Sequence, residues 1–140
     1  MHVTRLAALL AIAVAWAVSL ALPALGARGG AAWTGLELLL QGWEGARHGV
    51  FAWFANPLFL VALTAALMRR DVFAGVVSVA AVALALTSLA AEGILRGRMG
   101  GVPELTFGAG FYLWLVAVIG LCLRSWAAAY LSRRKLGGSR

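Results

Sequence analysis

The chain has 140 residues, 63% of them hydrophobic and only 12% charged, and carries a net charge of +7. With a mean hydropathy of +0.91 it has no polar stretch long enough for a separate soluble domain, so residues 1–140 read as a single membrane domain. A pI near 11.4 would point to nucleic acid in a soluble chain, but here the basic residues flank apolar runs instead of forming an aromatic-lined groove. Anionic lipid is the expected counter-charge and nucleic acid is not an expected partner.

Four charge-free apolar segments, 6–25, 50–68, 72–91 and 107–123, approach the about 20 helical residues that a bilayer core requires. The expected fold class is all-α: a polytopic membrane protein with four transmembrane helices in a compact bundle and a short interfacial helix in the first outer loop. Alternating the sides of the flanks gathers Arg5, Arg69, Arg70, Arg124, Arg133, Arg134, Lys135 and Arg140 with Asp71 on one face. The other face holds Arg28, Arg47, Arg96 and Arg98 against Glu37, Glu44, Glu92 and Glu104, and so carries no net charge. Lys and Arg excess marks the cytoplasmic side, which places both termini there. Richness in alanine, leucine and arginine suits a bacterial inner membrane.

The first segment is longer than the about 7–15 residues of a signal-peptide core, and it reads as a retained anchor. Pro23 lies near its outer end, and Gly26, Gly29 and Gly30 break the helix into a loop. Within that loop residues 34–41 are apolar around Glu37, with Trp33 and Trp43 at the ends, which predicts a helix lying in the outer headgroup region.

The second segment meets Asn56-Pro57 about two turns in, where proline frees the carbonyl of Trp53 and is expected to kink the helix. The Asn56 side chain is the local group able to satisfy that carbonyl. Arg69-Arg70-Asp71 is short enough to force a tight hairpin, making the second and third spans antiparallel neighbours. On the third span Ala74, Ser78, Ala81, Ala85 and Ser88 recur at steps of four and three, a small-residue face for close helix packing, against the same chain or a partner.

Beyond residue 92, Gly97, Gly100, Gly101 and Pro103 specify turns. Phe107, Phe111, Trp114 and Val118 then follow helical spacing as packing residues of the fourth span, and Trp126 to Tyr130 extends it to the inner interface. Arg133, Arg134 and Lys135 just beyond are the candidate lipid-headgroup contacts, each worth about 1 kcal/mol near an anionic surface.

The candidate ligand- or partner-binding residues gather at the outer mouth: Glu44, Arg47, His48, Glu92, Arg96 and Arg98 above Asn56. Their bland role is a set of interfacial ion pairs joining two loops, and their sharper role is a docking or ligand site. Glu44 and His48 at i, i+4 supply only two metal ligands where zinc takes three or four, and Gly45 and Gly49 disfavour a helix there, so no metal is expected. Cys122 stands alone, which removes disulfide and CxxC chemistry. No nucleophile elbow, HExxH or phosphate-cradling loop occurs, and no cofactor is expected. Spans without ionisable residues also lack the usual device of ion-coupled carriers.

The function expected from these features is that of a non-enzymatic accessory, regulatory or immunity-type subunit binding a membrane or periplasmic partner. A homo-oligomeric channel, carrier or holin-like pore lined by Asn56, Pro57, Ser78 and Ser88 is the main alternative. A lipid-binding protein or an enzyme using the charged outer mouth is the third.

Overall fold

The computed structural model describes residues 2–27, 30, 32–92 and 104–137. Five α-helices stand out among them: α1 His2–Ala21, α2 Gly35–Gln41, α3 Ala55–Leu67, α4 Asp71–Leu86 and α5 Ala109–Gly137. Three stretches, Val3–Ala21, Asp71–Ala90 and Ala109–Arg134, are long and apolar enough to cross a membrane. The fourth apolar helix, Ala52–Leu67, is shorter.

The all-α expectation is corrected at one end of the molecule. Residues expected to be helix end and loop form strands β1 Pro23–Ala27, β2 Ala32–Thr34 and β3 Leu105–Phe107, arranged as an antiparallel sheet in the order β2-β1-β3. The first span was expected to run to Leu25, but Pro23 lacks an N–H and its ring would clash with a helix, so α1 stops at Ala21 and proline opens a strand instead. Leu25 pairs with both Trp33 and Phe107, which places β1 at the centre. Phe107 was expected inside the fourth span; it ends β3, and α5 starts two residues later.

Proline explains a second difference. Asn56-Pro57 was expected to kink a continuous helix over 50–68. The chain instead runs through a 3₁₀ turn, Ala52–Phe54, into α3 at Ala55, so Pro57 occupies the first helical turn, where an N–H has no partner to lose. The expected interfacial helix is present as α2. Thr34 caps it with a reciprocal box in which Glu37 N–H donates to Thr34 Oγ1 (3.3 Å) and Thr34 N–H donates to the Glu37 carboxylate (2.7 Å). Those bonds hold the Glu37 carboxyl below its ordinary range, the bond from the Thr34 backbone contributing most.

α3 and α4 form the tight antiparallel hairpin that the short connection requires. Arg69 sits there with φ 63°, and its N–H and that of Arg70 reach the carbonyls of Ala66 and Ala65 to close the end of α3. α4 packs in turn on α5, and α5 on α1. Phe59, Val118 and Leu121 are fully buried between them. Ala74, Ser78, Ala81, Ala85 and Ser88 are all buried as well, so the small-residue face of α4 is covered by the chain's own helices. Ser78 and Ser88 donate their hydroxyls to carbonyls one turn back on their own helix.

At the end opposite the sheet, Asp71 opens α4 and is buried. Arg5 on α1 reaches it with two bonds of 3.1 Å, Arg124 on α5 with one of 3.0 Å, and Arg5 also donates to Ala66 O on α3 at 2.6 Å. The Asp71 carboxylate therefore ties α4 to α1 and α5, and Arg5 extends the tie to α3, at the basic ends of the helices.

Candidate functional site

Asn56 occupies the first turn of α3, where the chain emerges from the 3₁₀ turn beneath the sheet. Its Oδ1 accepts the indole N–H of Trp114 on α5 at 2.9 Å and that of Trp16 on α1 at 3.3 Å. Its Nδ2 donates to Trp53 O at 3.2 Å, the carbonyl that Pro57 leaves without a helical donor. Two indole donors on one side fix the amide orientation, because a flipped amide would point N–H at N–H. The side chain thus joins α1, α3 and α5, and Trp16 stacks on Phe59 with ring centres 5.7 Å apart.

Above Asn56, toward the sheet, lies a cavity of about 260 Å³. α1 contributes Ser19 and Leu20, β1 Ala24 and Leu25, α2 Leu38 and Leu39, and the entry to α3 Val50, Ala52 and Trp53. Ser88 and Ala91 close the α4 side, while Leu105, Phe107, Phe111 and Trp114 close the β3 and α5 side. Sheet and α2 act as a cap over this space. Trp53 Nε1 donates to Leu39 O at 2.7 Å and anchors the cap to the head of α3. Gly110 lets the first turn of α5 approach the end of α1, since a Cβ there would lie 2.7 to 3.0 Å from the carbonyl oxygens of Leu22, Ser19 and Pro23.

Of the candidate binding residues that lie among the described residues, Asn56 alone lines this cavity. Glu44, Arg47 and His48 lie on a 3₁₀ segment, Gly42–His48, at the outside of the cap. The Arg47 guanidinium sits over the Trp43 ring, 5.4 Å from its centre. Glu92 is half-buried after α4 and accepts the backbone N–H of Leu105 at 3.4 Å, which pins β3 to the end of α4. Arg96 and Arg98 lie outside the described residues. At the basic end Arg133 and Arg134 are exposed on α5, Arg134 lying 5.6 Å from the Tyr130 ring centre, and the side chain of Lys135 lies outside the described part.

The apolar cavity was not anticipated from the sequence, because its walls come from segments as far apart as Ser19 and Trp114. The one available signal was an asparagine in an apolar run together with tryptophans at the matching depth of two other helices. Among the described residues no group of three or more His, Cys, Asp or Glu side chains is placed to hold a metal ion. No protein-family model matches this chain, and no curated protein or solved structure matches it either.

Proposed function

We propose that the protein is a four-span integral membrane protein that acts without catalysis and holds a small apolar molecule of the membrane beneath its cap. The observation that carries this reading is the capped cavity: about 260 Å³, a little under the roughly 300 Å³ at which ligand pockets begin, walled almost wholly by apolar side chains. The outward-facing Leu10, Val14, Val76, Val116 and Leu123 are exposed, as expected for helices in lipid, where a small apolar molecule dissolves. The shorter α3 completes the fourth span together with the 3₁₀ turn before it.

The basic excess at the Arg5, Asp71, Arg124 end supports a cytoplasmic location for both termini, and the composition supports a bacterial inner membrane. In a Cys122-free background, Arg47→Cys should react with an impermeant thiol reagent on intact cells and Ser139→Cys should not; the reverse pattern sinks the orientation.

A second reading, the accessory subunit, is favoured by a stripe on the cap. Leu36, Leu40 and Trp43 are exposed at helical spacing beside Glu37 and Glu44, a surface suited to a protein partner. Native mass spectrometry of the protein extracted from its host in mild detergent separates the two. A single chain retaining a small apolar molecule supports the cavity reading; a defined complex with an empty cavity replaces it with the subunit reading.

A further inference from the structure

The chemistry at the cavity wall narrows the ligand, on the premise that the cavity holds one. No charged side chain lines the space among the described residues, so an ion there would be buried without a counter-charge, and the ligand must be neutral. Three polar side chains reach the wall. Ser19 and Ser88 spend their hydroxyl hydrogens on Trp16 O and Ala85 O. Asn56 is different: an amide has two acceptor sites and two donor hydrogens, its oxygen is saturated by two indoles, and one hydrogen goes to Trp53 O.

The second Nδ2 hydrogen has no acceptor among the described residues, and it is the one unspent side-chain donor at the wall. Nδ2 is already bonded to Trp53 O, and its spare hydrogen lets it donate once more to an acceptor held in the cavity that Asn56 lines. The same space is bounded by the rings of Trp53, Phe107, Phe111 and Trp114, with Phe107 stacked on Phe111 at 4.3 Å between centres. We infer that the cavity binds a neutral, membrane-soluble carbonyl compound, its oxygen accepting from Asn56 Nδ2 and its apolar body lying among these rings.

The test uses the full chain in lipid nanodiscs and a diazirine-bearing alkane that labels the cavity on illumination. 2-Undecanone and undecane differ by one carbonyl oxygen, and each is added as competitor at equal mole fraction in the bilayer. The expected result is that the ketone suppresses cavity labelling about fivefold more effectively, the worth of one net hydrogen bond. Equal suppression overturns the carbonyl inference and leaves the apolar cavity site intact. Absence of any cavity labelling overturns both. A triple variant, Asn56→Leu with Trp16→Phe and Trp114→Phe, removes the donor together with the groups that depend on it, and the ketone advantage should vanish; if it persists, Asn56 is not the recognising group. Should that variant not fold, the ketone and alkane comparison on the unaltered chain decides alone.

Discussion

The indole nitrogen of Trp114 lies 2.9 Å from Asn56 Oδ1, joining α5 to α3 directly beneath the cavity. In an apolar surround such a bond has no water to replace it, and the Asn56 side chain carries three at once. Asn56→Leu leaves two indole N–H groups unpaired and should destabilise the protein by about 2–4 kcal/mol, whereas Trp114→Phe should cost about 1 kcal/mol beyond its lost packing. Equilibrium unfolding of the two variants in the same lipid checks the ratio, and equal costs would remove Asn56 from its place as the shared acceptor.

At the basic end, Asp71 is 9% exposed at its side chain while its partners Arg5 and Arg124 are 26% and 14% exposed. Asp71→Asn leaves two guanidiniums facing each other and should cost about 2–3 kcal/mol, less than a fully buried pair because Arg5 is partly wetted. A double-mutant cycle of Asp71→Asn with Arg124→Gln reads the coupling. Additive costs would mean that the bridge is only a surface contact.

The capping box of α2 makes a pH prediction. The folded cap holds the Glu37 pKa below the ordinary glutamate value of 4.5, so its ionised form favours the folded cap. That contribution is fully present above pH 4.5 and is lost as pH falls through the lowered value. Amide exchange at Glu37 and Leu38, corrected for intrinsic rates, should therefore accelerate on acidification, and Glu37→Gln should remove the pH dependence. Identical profiles in both proteins would place the acid sensitivity elsewhere.

Ser125 presents the converse case. It is fully buried on α5, and its hydroxyl has no hydrogen-bond partner among the described residues. Ser125→Ala removes the unpaired group with little change in volume and should stabilise the protein by about 1 kcal/mol in the same unfolding assay. A loss of stability would reveal a partner for the hydroxyl.

The parts of this fold that could be read in the sequence depend on local pattern. Charge-free runs located the helices, the apolar run 34–41 between Trp33 and Trp43 indicated α2, and Asn56 was identified as the partner of the Trp53 carbonyl from the position of Pro57 alone. The parts missed depend on contacts remote in sequence. β1 contains Pro23 and Gly26, poor strand residues, and holds together by pairing with residues 105–107, whose three-residue run is too short to show a period. Asp71 looked like one charge in a basic hairpin because its partners, Arg5 and Arg124, are 66 and 53 residues away. Pro57 was given a kink because the sequence does not show that the helix begins only at Ala55.

The most direct measurement is photolabelling of the reconstituted full chain with the diazirine alkane, read residue by residue, beside Ala91→Leu, which adds bulk at the cavity wall without touching Asn56. The cavity account predicts saturable labelling at Leu38, Leu39, Phe107 and Phe111 that Ala91→Leu abolishes, above a non-saturable background on outward residues such as Val14 and Val116. Labelling confined to those outward residues, unchanged by Ala91→Leu, would contradict it.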